Sequence, residues 1–216
     1  ACGAAVAPVD FGSVSELAAA CAGARCVVSA LAGLRETIVE AQSALLEGAV
    51  RAGAPRFIPS DYSIDFTRFP AGENRNLDLR REFHGRLDRA PVRATSIFNG
   101  AFTDMLTGPM PLILFKLRRV LYWGSADQRM DFTAVDDTTA FTACAAMDDS
   151  APRFLRIAGD ELSARELAPA AGAARRVRRS ACWQLPDRCN EGLGTVGVVA
   201  VHVEAGTGRR QHDGIA

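Results

Sequence analysis

Short apolar runs alternate with longer amphipathic runs over the first half of the chain, which indicates strands alternating with helices. Strands are predicted at Arg25–Ser29, Arg56–Ile58 and Arg93–Phe98, where β-branched and aromatic residues cluster. A helix is predicted from Glu36 to Ala52, because apolar residues recur there at helical spacing. The other predicted elements of this half are a strand at Ala4–Val9, a helix at Leu17–Ala22 and a helix at Leu77–Arg89.

This alternation predicts βαβ units, and therefore an α/β protein with a Rossmann-like, doubly wound parallel sheet. Right-handed crossovers would place helices on both faces of that sheet. Ligands of such folds bind beyond the carboxyl ends of the strands. The predicted strand ends are Asp10, Ser29–Leu31, Pro59–Tyr62 and Asn99–Phe102.

The pattern changes at Thr103, where a small α+β segment is predicted to follow the sheet. Pro109 and Pro111 interrupt the chain, and Ser163-x-x-Glu166 is a capping box that opens a helix. The other elements predicted here are a hairpin of Arg118–Trp123 with Arg129–Phe132, a helix at Asp136–Met147 and a strand at Phe154–Ala158.

The composition changes again near Ala170. Residues 175–216 carry 7 Arg and 4 acidic residues, are rich in Gly, and show no helical period. We expect this tail to be poorly ordered and to derive from a shifted reading frame; a divergent terminus with one strand at Val196–Val203 is the alternative. The predicted division is a sheet domain at 1–102, a smaller segment at 103–169 and a tail at 170–216.

Composition narrows the function classes. Lys+Arg and Asp+Glu both number 25 in the 216 residues, and this balance argues against a nucleic-acid binder. No apolar run approaches the ~20 residues that span a bilayer, and the start does not read as a signal peptide, so a cytoplasmic protein is expected. The six Cys form no C-x-x-C pair, and with three scattered His they predict reduced thiols and no metal site.

Several catalytic motifs are missing from the sequence. There is no G-x-x-G-x-x-G loop, no Y-x-x-x-K pair and no G-x-S-x-G elbow. Gly192-x-Gly194-x-x-Gly197 has dinucleotide-loop spacing, but no predicted strand precedes it, so a chance match is the better interpretation.

Two strings are more specific. Arg56-Phe57-Ile58-Pro59-Ser60-Asp61 closes one predicted strand, and Asn99-Gly100-x-Phe102 closes the next. With the flanking segments of residues 4–168, they resemble the NmrA-like and isoflavone-reductase-like families of atypical short-chain dehydrogenase/reductases. The resemblance implies a Rossmann domain that binds NADP(H) or NAD(H), followed by a small substrate domain. Some members of these families reduce small aromatic or carbonyl compounds, and others are redox-sensing regulators.

The sequence departs from that pattern in two respects. The families begin with a strand, a glycine loop, a helix and a second strand, which this sequence lacks, so an N-terminally truncated chain with weak cofactor binding is expected. Their reductases also carry a lysine on the helix before the Thr95 strand, where this sequence has Arg80. Arginine keeps the positive charge but cannot exchange protons near neutral pH.

The resemblance implies the candidate site residues. Arg80 would stabilise negative charge on a substrate oxygen, although a solvated helix position is its alternative. Gln42 is a further candidate contact, and His84 is expected to be a surface histidine. The candidate cofactor contacts, each of which could instead only end a strand or form a turn, are Ser29, Ala30, Leu31, Pro59, Ser60, Asp61 and Asn99.

The predicted function is NAD(P)-dependent reduction of a small carbonyl or aromatic substrate. A cofactor-binding redox sensor that signals to a protein partner is the alternative, and the arginine at position 80 favours it. A fragment without function is a third possibility.

Overall fold

The computed structural model describes residues 6–108, 111–117, 119–122, 124–174 and 198–201. Within them the chain is an α/β protein with a central parallel sheet. The strands of the sheet region are β1 (Cys26–Ser29), β2 (Arg56–Ile58), β3 (Arg93–Ala94), β4 (Ser96–Phe98), β9 (Phe154–Arg156) and β11 (Val198–Val201). The other strands are β5 (Ala101–Phe102), β6 (Ile113–Leu114), β7 (Arg119–Val120), β8 (Arg129–Thr133) and β10 (Asp160–Ser163). The helices are α1 (Val14–Ala20), α2 (Gln42–Arg51), α3 (Arg75–Leu87), α4 (Val135–Met147) and α5 (Ala164–Ala174).

One bent strand joins the two parts of the central sheet. β3 pairs in parallel with β2, and β4, which continues the same run, pairs in parallel with β9. At the bend, the Thr95 amide donates to Phe57 and the Ser96 amide donates to Arg153. The order β11-β1-β2-β3 therefore continues through β4 to β9.

Helices cover both faces of this sheet. Val27 of β1 packs with Leu45 of α2 and Phe83 of α3 in one core. Its neighbour Val28 points the other way and packs with Ala145 of α4 in a second core. Because successive strand residues face opposite sides, a strand buried on both faces is apolar throughout. The Rossmann-like, doubly wound α/β fold is thus confirmed.

The long helix predicted after β1 is confirmed. A π-helical segment, Glu36–Ala41, continues directly into α2. Gly48 lets α1 pack closely, since a Cβ there would lie 2.7 Å from the Leu17 Cβ. Gly53 follows the helix with a φ of 73°, which only glycine adopts at little cost.

A buried arginine fixes α4 to the sheet. Arg56 of β2 is only 3% exposed and donates to the carbonyls of Ala145 at 2.6 Å and Asp148 at 2.5 Å, and to the Thr95 hydroxyl at 3.1 Å. The last carbonyls of a helix have no partner within the helix, so this guanidinium caps α4.

The predicted hairpin of Arg118–Trp123 with Arg129–Phe132 is wrong. β7 pairs antiparallel with β6, whereas β8 pairs antiparallel with β10 and in parallel with β5. The reason is burial: this pairing places Phe132, 2% exposed, in a core with Ile113 and Leu167. Such long-range packing overrides local turn signals.

The strand predicted at Ala4–Val9 is also wrong over its described part. Residues 6–10 have no regular structure, and Val6 is 94% exposed. A single short strand has no stability without a paired neighbour, and no strand of the described residues pairs with this segment.

The end of the described chain has one helix and one strand. Ser163 and Glu166 form the predicted capping box, with the Ser163 amide donating to Glu166 at 2.8 Å and the Glu166 amide donating to Ser163 at 3.2 Å. α5 runs to Ala174, and β11 pairs in parallel with β1. Predictions for residues 175–197 and 202–216 lie outside the described residues. Among the described residues no helix has the length and apolar character needed to span a membrane.

Candidate functional site

The ends of three neighbouring strands bring most of the predicted site residues to one edge of the sheet. Ser29 ends β1, Asp61 follows β2 and Asn99 follows β4, and all three are 0% exposed. Pro59 and Leu31 are buried beside them, and Ala30 is half-buried. This is the carboxyl edge of the parallel strands, where α/β folds bind ligands.

Three predicted residues hold this edge together. The Ser60 hydroxyl donates to the Leu31 carbonyl at 2.6 Å, which links the ends of β1 and β2. Gln42 accepts from the Ser60 amide at 2.8 Å and donates to Ile38 at 3.0 Å. Both polar ends of Gln42 are therefore occupied within the protein, and its position on the apolar face of the helix serves to fix the loop after β2.

The buried polar atoms without a partner are concentrated here. Within the described residues, the five such side-chain atoms are Ser29 Oγ, Asp61 Oδ1, Arg80 Nε, and Asn99 Oδ1 and Nδ2. They belong to four of the eight residues predicted for the site. Leaving a buried donor or acceptor unpaired costs about 1–3 kcal/mol, so a cluster of such groups indicates a place where water or a ligand pairs them.

Arg80 enters the site from α3. One terminal nitrogen donates to the Asn76 carbonyl at 3.1 Å, while the buried Nε has no partner. Burial lowers the pKa of Arg80, and the charge of Asp61 opposes that shift. Arginine nevertheless stays protonated at any physiological pH, so the site holds a fixed positive charge beside Asp61.

The expectation of a surface His84 is wrong. His84 is 8% exposed, and its Nε2 lies 2.6 Å from Asp61 Oδ2 and 3.3 Å from Ser96 Oγ. The signal that could have placed it was its position four residues after Arg80, on the same face of the helix. That face is buried against the sheet because Phe83 and Leu87 of α3 anchor the helix there.

Asn99 is held rigidly by its backbone. Its amide donates to the Ser63 carbonyl at 3.1 Å, and its carbonyl accepts from the Thr133 hydroxyl at 2.7 Å. The side-chain carboxamide is buried with both polar atoms unpaired. The structure thus holds an unpaired donor and an unpaired acceptor on one buried side chain directly after β4.

Tyr62 does not supply an acid near neutral pH. Burial raises the pKa of Tyr62 to about 12, with a hydrogen bond to Thr142 acting in the opposite direction. Efficient proton transfer needs a pKa close to the working pH.

An open cavity of about 520 Å³ lies between the N-terminal ends of the helix after β1 and of α3, and none of the eight predicted site residues lines it. Leu34 and Leu79 give it apolar surface, and Leu79 directly precedes Arg80. The Arg35–Glu82 ion pair forms part of its wall. A cavity of this size suits a small ligand.

No family model and no curated protein matches the sequence. Solved structures do match it. AtPrR2 with NADP+ and (+)-pinoresinol has a TM-score of 0.65 and 18% identity, over 89% of this chain and 60% of that one. Isoflavone reductase has a TM-score of 0.62 and 20% identity, over 77% of this chain and 56% of that one. WbmG of Bordetella bronchiseptica with NAD has a TM-score of 0.59 and 16% identity, over 82% of this chain and 67% of that one.

This chain spans 60% and 56% of the lengths of the first two of these proteins. At such identities the likeness is one of fold, and it agrees with the strand order and the two-sided helix packing described above. The predicted resemblance to isoflavone-reductase-like proteins is confirmed at that level: the chain has the Rossmann-type α/β fold that these reductases share.

Proposed function

We propose that this chain is part of an NAD(P)-dependent oxidoreductase that reduces a small carbonyl or aromatic substrate. The observation that carries the proposal is the set of unpaired buried atoms on Ser29, Asp61, Arg80 and Asn99 at the carboxyl edge of the sheet. Structural neighbours that contain NADP+ or NAD support it.

The unpaired atoms fit the nicotinamide end of such a cofactor. A nicotinamide carboxamide needs both an acceptor and a donor, and the Asn99 side chain offers both. The Ser29 hydroxyl and Asp61 Oδ1 suit hydroxyl groups of the adjoining ribose or of the substrate. Ala30, Leu31, Pro59 and Ser60 would line this position through backbone and apolar contacts. When bound, a reduced nicotinamide supplies a hydride, and the protein supplies binding and orientation.

Arg80 would stabilise the substrate oxygen as negative charge develops on it. Its unpaired Nε–H is a donor within a buried site, and a fixed donor aimed at developing charge is effective there. The cavity with Leu34 and Leu79, at the N-terminal end of the helix that carries Arg80, would receive the apolar part of the substrate.

The cofactor's pyrophosphate would need contacts beyond those described. A G-x-x-G-x-x-G loop is not in the sequence, so we expect the 216-residue chain to hold the dinucleotide weakly. A nicotinamide fragment is therefore the better probe of this site.

A redox sensor is the second candidate. Arginine at position 80 does not transfer protons, so the site could bind cofactor without turning it over, and a protein partner would then read the bound state. Consumption of NADPH with a panel of aromatic aldehydes distinguishes the two: sustained turnover supports the reductase, and binding without turnover supports the sensor.

The direct test of the reductase is Arg80→Gln, with the exposed Arg89→Gln on the turn after α3 as the matched control. We expect Arg80→Gln to lower kcat about 10²–10³-fold, the usual cost of removing a charge-stabilising donor. Arg89→Gln should retain the wild-type rate. Equal rates in both variants would remove Arg80 from the site.

Location and domain division belong to the same proposal. Cys21 and Cys26 are buried reduced thiols, and burial raises the pKa of Cys26 to about 11. Unreactive thiols of this kind suit the cytoplasm. We place the cofactor-binding part in residues 1–102 and the substrate-binding part in 103–169, with 170–216 as a tail. β9 of the second part and β11 of the tail add strands to the sheet of the first part.

A further inference from the structure

The candidate site also contains a hydrogen-bonded pair of an acidic and a basic side chain, Asp61 and His84. Asp61 is 0% exposed, with Oδ2 held by His84 and Oδ1 unpaired. The 2.6 Å separation of Asp61 Oδ2 and His84 Nε2 requires a shared proton between them. One carboxyl oxygen is thus bound to an imidazole, which can supply a proton, while the other is free to contact a ligand.

The pair also connects the site with solvent. The Asp61 side chain has no exposed surface, whereas 10% of the His84 side chain is exposed. A proton therefore reaches Asp61 from water most directly through the imidazole. Arg80 and Tyr62 do not supply this proton near neutral pH, because arginine stays protonated and the pKa of Tyr62 is raised to about 12.

The surroundings keep the imidazole in place. The rings of Phe66 and Phe154 lie 4.9 and 6.3 Å from it. Ser96, which also contacts Nε2, accepts from Arg153 at 2.6 Å, and Arg153 donates to Asp88 at 3.0 Å. This order suits a proton-transferring group, because its geometry is set before any substrate binds.

We propose that Asp61 donates the proton that the reduction consumes and that His84 replenishes it, an inference that rests on the proposed reductase function. The carbonyl carbon accepts a hydride from the reduced nicotinamide, and the C=O π electrons move to oxygen. His84, as the imidazolium, gives its Nε2 proton to the Asp61 carboxylate at Oδ2, and a turn of the carboxyl group brings this O–H to the substrate oxygen. The Asp61 O–H bond then breaks as the new O–H bond forms, which restores the carboxylate, and a proton from solvent restores the imidazolium.

The sum of these steps is balanced. A carbonyl compound, NAD(P)H and one proton become an alcohol and NAD(P)+. Asp61 touches the reacting oxygen and is catalytic, whereas His84 acts through Asp61. Arg80 stabilises the oxygen without supplying a proton, so the two roles fall on different residues.

The test compares Asp61→Asn and His84→Gln with the wild type, and uses Asp104→Asn, an exposed residue, as the control. Gln keeps an Nε2 donor near Asp61 but cannot relay a proton. Each protein is assayed with an aromatic aldehyde and either NADPH or 1-benzyl-1,4-dihydronicotinamide, a hydride donor without a pyrophosphate. Proton NMR follows the shared Asp61–His84 proton, and thermal unfolding checks the fold.

We expect both site variants to lower kcat by about 10²-fold or more, the range of general acid–base catalysis, and His84→Gln to do so with KM and cofactor affinity unchanged. Both should also lose the shared-proton resonance, and the Asp104→Asn control should keep it. Full kcat in folded His84→Gln and Asp61→Asn would overturn the relay and leave the reductase proposal standing. A wild type that neither reduces any aldehyde nor shifts its Arg80 and Asn99 signals with cofactor would overturn both.

Discussion

At the scale of single residues, the candidate site is marked by buried polar atoms that have no hydrogen-bond partner within the described protein. Asn99 shows this most clearly, because its backbone is fully bonded while its carboxamide is buried without a partner. A residue kept only for structure would not carry that cost. Stability and ligand binding should therefore respond in opposite directions when this side chain is changed.

We predict that Asn99→Leu stabilises the ligand-free chain and weakens binding of nicotinamide compounds. Leucine has nearly the same shape without polar atoms, so it removes a penalty of about 1–3 kcal/mol. Urea unfolding measures the first effect and a nicotinamide mononucleotide titration the second. A destabilised variant that binds normally would show that Asn99 is a structural residue.

Ser29, Asp61 and Asn99 follow predicted strands, whose ends converge in a parallel sheet, and the family resemblance implied these three residues and Arg80 as candidates. The sequence did not predict that Ser60 and Gln42 would hydrogen-bond to each other and to the protein backbone. It also did not predict that His84 would be buried against Asp61. The burial of His84 depends on the rotation of α3 on the sheet, which is set by packing of Phe83 and Leu87 over long range. Spacing along one helix does not determine that rotation.

Asp65 gives a pH-dependent contribution to stability. Burial raises its pKa, but hydrogen bonds from Thr67 and Arg156 outweigh burial and lower it below the ordinary 3.8. A carboxyl with a lowered pKa stabilises the fold above its unfolded pKa and loses that effect as the pH falls through the folded value.

We therefore predict that Asp65→Asn is less stable than the wild type near neutral pH and equally stable in acid. The difference in unfolding free energy should shrink between about pH 5 and pH 2, measured by urea unfolding. A pH-independent difference for Asp65→Asn would contradict the assigned ion pair with Arg156.

At the scale of elements, one glycine determines how β5 meets β8. Gly100 has a φ of 66°, and a Cβ there would lie 2.3 Å from the Asp131 carbonyl oxygen. Gly124 has the same φ of 66° with no atom within 4 Å of its Cβ position. An alanine at either position would have the same unfavourable backbone conformation, but only at Gly100 would its Cβ also overlap with other atoms.

We predict that Gly124→Ala costs about 1–2 kcal/mol of stability, the penalty of a left-handed residue. Gly100→Ala should cost about 1–3 kcal/mol more, because backbone must move to relieve the overlap. Denaturant unfolding of both variants measures the difference. Equal losses would mean that β5 and β8 are not this close.

The first-half elements from Leu17 onward were predictable because each is local: apolar strands, a capped helix, and the glycine after it. The hairpin and the Ala4–Val9 strand failed because pairing partners depend on distant segments. β8 pairs with β10, which lies more than twenty residues later in the chain, and this pairing places Phe132 in a buried core. Register of this kind depends on tertiary packing rather than on the turn.

At the scale of the molecule, the packing of helices on both faces of the sheet explains why the candidate site lies at one edge of the sheet. Helices cover both faces, so the carboxyl ends of the strands are the place where buried polar groups can meet a ligand. The neutral net charge adds no long-range preference for anions, so binding must come from these specific contacts.

The most direct measurement is a titration of the 15N-labelled chain with nicotinamide mononucleotide and with NADPH, followed on side-chain signals. We predict saturable shifts of the Arg80 Nε–H and Asn99 Nδ2–H2 signals with both ligands, because these donors are unpaired without one. Arg89 and Asn76 are the matched control signals and should not move. A titration that leaves the Arg80 and Asn99 signals in place would contradict the proposed site.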